Sequence, residues 1–279
     1  MDYLTMTSSD TCDRLSSNPM WMQAIRDAVK ERLEIEKRDA VMMARRGGIV
    51  PDNWQSDLLR SDARQMILLC SRQSGKSTIT SILALHQAIY TPDSLILLLS
   101  PSLRQSQELF RKLQTFYNAL ESESLPQAVE ESALRMELSN GSRIVALPGK
   151  EATIRGFSGV SLLIIDEASR VEDALYQSVR PMLAVSGGRI VLLSTPFGKR
   201  GFFHSEWTDG QDWRKVKITA DQCPRIDKEW LMRERQMIGD WWYLQEYFCE
   251  FVETSDQVFS YDDISAALDP TIKPLFERS

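Results

Sequence analysis

Four nearly unbroken apolar runs punctuate the chain: MILLC at 66–70, LILLLS at 95–100, SLLII at 161–165 and RIVLLS at 189–194. Runs of this length without polar alternation predict strands buried on both faces, and so a mainly parallel sheet with helices on either side. Helices are predicted in the gaps, at about 77–90, 102–120 and 172–180. Between them LRMELSNGSRIVAL (134–147) alternates around Asn140-Gly141, which predicts an antiparallel hairpin closed by a type I′ turn.

The two ends differ from this middle. Asn18-Pro19 reads as a helix start, and Trp21, Ile25, Val29 and Leu33 then recur every four residues until Gly47-Gly48 stops the run. The pattern predicts one long amphipathic helix, packed as a brace on its own domain in preference to serving as a partner-binding arm. From about 219 the chain becomes dense in aromatics, among them Trp230, Trp241, Trp242, Tyr243, Tyr247, Phe248 and Phe251. Their helical spacing without interleaved Lys or Arg favours a small aromatic core over a base-stacking platform. The expected division is a helical arm at 1–50, an α/β core at 51–218 and a helical subdomain at 219–279.

Composition narrows the function. A net charge of −6 and a pI near 5.2 exclude a protein that coats nucleic acid through many phosphate contacts, though not one that grips DNA weakly and locally. No apolar run approaches the ~20 residues that span a bilayer, and MDYLTMTSSD has no signal-peptide character, so a cytoplasmic location without membrane is expected. Cys12, Cys70, Cys223 and Cys249 form no C-x-x-C pair, and His86 and His204 have no companions at ligand or triad spacing. Zinc, disulfide and histidine chemistry are therefore not expected.

What remains is phosphate chemistry. SRQSGKST (71–78) follows a predicted buried strand and opens a predicted helix, the setting in which backbone N–H groups and a helix N-terminus cradle phosphate. Arg72, Gln73, Ser74, Gly75, Lys76, Ser77 and Thr78 are the expected ATP-binding residues. Lys76 would reach the β/γ-phosphates, Ser77 would ligand Mg²⁺, and Gly75 would permit close backbone approach. The generic loop wants a glycine where Cys70 stands. Ninety residues beyond Lys76, LLIIDEAS (162–169) ends a buried strand in an acidic pair, costly unless a metal or hydrogen bonds meet it. Asp166 is the expected Mg²⁺ carboxylate and Glu167 the base that activates water. Placing LILLLS between the loop strand and the acidic strand gives the arrangement of a RecA-like ATPase with a catalytic glutamate.

Across residues 51 to 265 the chain resembles the large terminase subunit of tailed bacteriophages, the ATPase that packages DNA into procapsids. SRQSGKS is similar to that family's phosphate loop, which carries an arginine ahead of Gly-Lys-Ser and lacks the first glycine. The resemblance implies that Arg72 contacts phosphate and that Gln55, in PDNWQSDLL (51–59), pairs with the adenine edge. Through ATIRGFSGVSLLIIDEAS (152–169) it makes Arg155 the candidate arginine finger; a structural arginine paired with a carboxylate is the alternative. LLSTPFGKRGFF (192–203) resembles the coupling motif, with Ser194 and Thr195 sensing the γ-phosphate, and 241–264 resembles the lid and its exit.

The resemblance further implies ATP and Mg²⁺ as cofactors, double-stranded DNA as partner, a homo-oligomeric ring when active, a small terminase subunit and a portal, and the host cytoplasm as location. Family members usually continue into a nuclease domain, and no nuclease activity is expected in this chain, which stops at Ser279. Two rivals stand beside it: a superfamily-2-type helicase, which needs a second RecA domain, and a non-hydrolysing nucleotide-binding scaffold. Arg104, Arg111, Lys112, Lys199 and Arg200 are candidates for the DNA path or simple solvated faces.

Overall fold

The computed structural model describes residues 19–120, 124–149 and 156–252, together with Ala267. Its strands are β1 (Gln65–Cys70), β2 (Leu95–Ser100), β3 (Ala128–Glu131), β4 (Arg135–Leu138), β5 (Arg143–Pro148), β6 (Val160–Asp166), β7 (Arg189–Ser194) and β8 (Arg214–Ile218). The α-helices are α1 (Pro19–Arg38), α2 (Ala40–Arg46), α3 (Asn53–Leu59), α4 (Lys76–Tyr90), α5 (Leu103–Ala119), α6 (Asp173–Val179), α7 (Gly201–Thr208) and α8 (Lys228–Phe248).

All eight strands form one sheet in the order β3-β4-β5-β2-β6-β7-β1-β8. The pairs from β5 through β8 are parallel, and β3 and β4 add an antiparallel margin. Side chains alternate between two cores, as the pleat requires. Met66, Leu68, Ile96, Leu98, Leu162, Ile164, Val191 and Leu193 meet α2, α4 and α5. Ile67, Leu69, Leu97, Leu99, Leu163, Ile165, Ile190 and Leu192 meet α6 and α7. This two-sided burial explains why the four central strands read as unbroken apolar runs.

Four expectations need correction. The strand between the loop strand β1 and the acidic strand β6 is β7, RIVLLS; β2, LILLLS, lies on the far side of β6. The hairpin at Asn140-Gly141 exists, but Leu138 faces Ser142 across a three-residue loop in which Gly141 alone takes a positive φ, 83°. That is a type I turn closed by a left-handed glycine rather than type I′, which needs two positive φ values. The single long N-terminal helix is broken at Asp39, whose side chain accepts from Val41 N–H and starts α2. Finally, Trp21 and Ile25 stay solvent-exposed, and of the predicted stripe Leu33 packs against the core. The helix runs beyond the surface it was expected to cover.

The C-terminal aromatics divide by type. Tyr243 and Tyr247 form a small core with Ala220 and Leu231, with Phe248 packed against it, whereas Trp230 and Trp242 remain exposed. Helix α8 bends at Gly239, where φ 79° and ψ 160° interrupt the helical backbone. Among the described residues no helix is long and apolar enough to cross a membrane.

One buried ion pair ties the N-terminal helices to the core. Glu36 is 2% exposed and takes a two-point contact from Arg46, Nε to Oε1 at 2.7 Å and Nη2 to Oε2 at 2.9 Å, with the Tyr90 hydroxyl donating to Oε2 at 2.6 Å. Removing one partner of such a pair leaves a buried uncompensated charge, at a cost of about 3–5 kcal/mol. Glu36→Ala is expected to lower the unfolding free energy by about that amount in urea titrations, and a loss below about 1 kcal/mol would show the pair to be dispensable.

Candidate nucleotide site

The site begins at the end of β1. Cys70, at the place of the generic first glycine, is the last residue of that strand and pairs with Ile218 of β8. Extended backbone suits any residue, so no glycine is needed there. The loop is then pinned at three points: Ser71 N–H donates to Ile218 O (2.9 Å), Arg72 N–H to Glu246 O (3.0 Å), and Ser74 Oγ to Ser71 O (3.0 Å). Left-handed backbone at Gln73 (φ 57°) and Gly75 (φ 86°) turns the chain into α4, whose first residue is Lys76. Any Cβ at Gly75 would come 2.9 Å from Gln55 Nε2. The unpaired N–H groups of the first turn of α4 thus face a cleft of about 470 Å³ lined by Gly75, Lys76, Ser77, Thr78, Glu167 and Thr195 among others.

The acidic pair arrives from a nearby strand end. β6 terminates in Asp166, and Glu167 follows in left-handed backbone (φ 51°), a conformation costly for a side chain larger than glycine. Lys76 Nζ lies 3.1 Å from Glu167 Oε1, Ser77 Oγ donates to Asp166 Oδ2 at 3.0 Å, and Glu167 N–H donates to Asp166 Oδ1 at 3.0 Å. Burial and then the adjacent Glu167 charge raise the Asp166 pKa against the opposing pull of Lys76 and Ser77. For Lys76 the desolvation that would lower its pKa is outweighed by the fields of Glu167 and Asp166, so its net shift is upward. The ammonium is held charged by the two carboxylates, and Asp166 is left under-compensated.

Ser194 and Thr195 reach the same place. Ser194 ends β7, beside the acidic strand, and its Oγ lies 3.5 Å from Glu167 Oε2. Ser169, on the short turn after the acidic pair, bridges to Ser194 Oγ (2.7 Å) and donates to Thr195 O (2.8 Å). Gln55 sits differently: it is buried behind the loop, its Oε1 accepting from Asp52 N–H (2.9 Å) and its Nε2 donating to Ser74 O (3.3 Å). Arg72 stands at the cleft edge, where its Nε is 2.5 Å from Glu246 Oε2. Arg155 lies outside the described residues.

Three residues that line the cleft, and one that pairs with Arg72 at its edge, were not expected there from the sequence. Arg170 lines it three positions after Glu167, its guanidinium 4.3 Å from the Phe197 ring centroid and 3.8 Å from Glu246. Its position in DEASR was a usable signal. Gln105 and Lys112, the latter expected only on a DNA path or a solvated face, enter from α5, where helical register alone could have suggested them. Glu246 comes from α8, 174 positions from Arg72, and carries no local mark at all.

Hard oxygen donors suit Mg²⁺, which takes one or two carboxylates and completes its shell with phosphate and water. The Ser77–Asp166 pair meets that description, and Asp166 is short of positive partners. Among the described residues no group of three or more His, Cys, Asp or Glu could hold a metal alone.

Comparison with known proteins then decides the family. The description "Terminase large subunit, T4likevirus-type, N-terminal" matches residues 67–266. The chain belongs to the large terminase subunits. It is 26% identical over 248 residues to the large terminase subunits of Thermus phage G20c and Thermus virus P23-45, covering 76% of this chain and 51% of each relative. This terminase chain therefore spans about half the length of those relatives. Its fold is similar to the large terminase ATPase domain of Thermus phage P74-26 (TM-score 0.67, 22% identity, 75% of this chain and 97% of that one). It is also similar to the large terminase of a thermophilic bacteriophage solved in complex with ADP (TM-score 0.59, 15% identity, 68% and 49%). The eight-stranded sheet is thus a RecA-like terminase core, and the helicase alternative is not favoured.

The raised Asp166 pKa yields a signed prediction. A carboxyl whose folded pKa exceeds its ordinary 3.8 detracts from stability as pH rises from that value through the folded one, and continues to detract above it. Asp166→Asn is therefore expected to leave the nucleotide-free melting temperature at pH 7 unchanged or higher, while removing the increment that Mg²⁺ and ATP together add to the wild type. A clear fall in the nucleotide-free value would show that the charge stabilises the fold.

Proposed function

We propose that this terminase chain is an ATP-hydrolysing motor domain that drives double-stranded viral DNA into a procapsid. The observation that carries the reading is the convergence of Lys76, Ser77, Asp166 and Glu167 on one cleft at the ends of neighbouring elements. Membership in the family gives that cleft its context, as does the thermophilic-phage terminase solved with ADP.

In this reading the N-terminal turn of α4 and Lys76 receive the β/γ-phosphates, and Lys76 gives up part of its contact with Glu167 to do so. Freed from the ammonium, Glu167 orients the attacking water and accepts its proton. Ser77 and Asp166 would hold Mg²⁺, which supplies positive charge against the phosphate oxygens. Ser194 senses the change through its contact with Glu167, and Ser169 passes it to Thr195 and the loop beyond. Arg155 acts as the finger on a neighbouring subunit's γ-phosphoryl group, which requires a homo-oligomeric ring. Double-stranded DNA, a small terminase subunit and a portal are the partners of this assembly, in the host cytoplasm.

Glu167→Gln is expected to reduce ATP turnover by about 10²–10⁴ with ATP binding retained, measured as DNA-stimulated phosphate release beside equilibrium titration. Undiminished hydrolysis would assign the base elsewhere. Mixing Arg155→Ala with Lys76→Ala chains is expected to recover part of the activity, because an interface in which the Arg155→Ala chain supplies the loop and its Lys76→Ala neighbour the arginine has both groups intact; no recovery at ring-forming concentrations would remove the arginine from the neighbour's site.

A further inference from the structure

Arg170 enters the nucleotide cleft from the short turn that follows the acidic pair. Its backbone N–H donates to Glu167 O at 2.9 Å, and its neighbour Ser169 is bonded to Ser194 Oγ and Thr195 O. The residue therefore keeps a fixed station relative to the glutamate and to the end of β7. Resting on the reading of this cleft as the seat of ATP hydrolysis, we propose that Arg170 places a guanidinium on the terminal phosphoryl group from within the chain that binds the nucleotide, in addition to the arginine reaching in from a neighbour.

The side chain is oriented, yet its donors are not consumed. Its guanidinium lies 4.3 Å from the centroid of the half-buried Phe197 ring, which also carries the Arg200 guanidinium at 4.8 Å. Stacking of this kind fixes the plane of a guanidinium and leaves the N–H groups on its edge to form paired bonds with phosphate oxygens. Its ion-pair partner, Glu246 Oε1, stands 3.8 Å from Nη2, beyond hydrogen-bond range. Among the described residues, none of the five N–H groups of the side chain has an acceptor. Only 30% of the side chain is exposed, so part of its hydration is already gone. A cation set in advance in this way needs little reorganisation when negative charge develops beside it.

The other cations of the cleft are placed for different work. Lys76 opens α4 and faces Glu167. Arg72 is drawn to α8, its Nε paired with Glu246 Oε2 and its backbone N–H with Glu246 O. Lys112 stands on α5, at the end of a flexible stem. Arg170 alone among them shares a turn with the residue that activates water. Charge in phosphoryl transfer spreads over three equatorial oxygens, so a cation on that turn complements the ammonium of the loop without competing for its place. Phe197 extends the contact: it lies two residues after Thr195, and a guanidinium drawn toward phosphate pulls against its ring, which links the terminal phosphoryl group to the loop beyond β7 through one side chain.

The test compares wild type, Arg170→Ala and Arg170→Lys as full chains with Mg²⁺ at ring-forming concentrations. ATP turnover is measured with DNA, and binding by calorimetric titration with ADP alone and with ADP plus aluminium fluoride, a mimic of the phosphoryl group in transfer. Removing one preorganised donor from a transition state costs about 10²–10³ in rate, so Arg170→Ala is expected to slow turnover by that factor and to weaken binding of ADP plus aluminium fluoride comparably. ADP alone should bind all three chains within about 3-fold, since the contact is made to a group that ADP lacks. Arg170→Lys keeps the charge but not the fork, and should fall between the other two; it carries the test if the alanine variant does not fold. Mixing Arg170→Ala with Lys76→Ala chains should recover nothing, because neither chain then holds an intact loop and an intact Arg170 together. Undiminished turnover overturns the proposal. So does recovery on mixing, which would move the arginine to a neighbour's site, and so does an equal loss of ADP and of ADP plus aluminium fluoride, which would make Arg170 a support for the turn. A wild type that binds ADP but hydrolyses no ATP would instead overturn the motor reading, and this assignment with it.

Discussion

A buried ammonium facing two carboxylates organises this protein. Lys76 is desolvated, and the fields of Glu167 and Asp166 outweigh that burial and favour its charged form. That balance needs the loop after β1 and the end of β6 held in register, although β7 separates the two strands. A parallel sheet supplies the rigidity, because it aligns the C-terminal ends of β1, β6 and β7 on one edge and buries their sides in two packed cores. The left-handed backbone at Glu167, Gln73 and Gly75 is tolerated there because the surrounding elements over-determine it.

The parts of this frame that were legible in the sequence are those governed by local rules. Burial on both faces leaves unbroken apolar runs, so β1, β2, β6 and β7 could be read within a residue or two of their ends. The phosphate loop was legible because a strand, a Gly-Lys-Ser and a helix must follow one another within a few residues. Asn140-Gly141 announced a turn but not its type, since two-residue and three-residue loops both favour glycine at the left-handed position. β3 and β8 went unseen for a different reason: AVEE and RKVKI lie at the margins of the sheet, where one apolar face is enough or none is needed.

Less legible were the long-range contacts that complete the site. Strand order is not encoded in any one segment, and the same four apolar runs fit more than one arrangement; hence β2 and β7 were exchanged around β6. Glu246 illustrates the limit more sharply. Nothing near it in the chain suggests that its backbone carbonyl and its carboxylate both engage Arg72, because that meeting is created by the return of α8 to the loop. Gln55 shows the converse: the resemblance implied a partner on the adenine edge, and the structure places the residue against the loop, its amide bonded to Asp52 N–H and Ser74 O.

The kink in α8 bears on how such contacts can change. At Gly239 the chain occupies a dihedral region essentially closed to residues with a Cβ, so the helix is two stiff rods sharing a single swivel. Rods joined this way can alter their mutual angle by rotating one pair of torsions, with every hydrogen-bonded turn on either side left intact. The segment bearing Trp230 and the segment bearing Glu246 are also clasped across that joint, by the core of Leu231, Tyr243 and Tyr247 and by the Tyr247 hydroxyl bond to Glu234, so any change of angle at Gly239 must be accompanied by slippage in that small core.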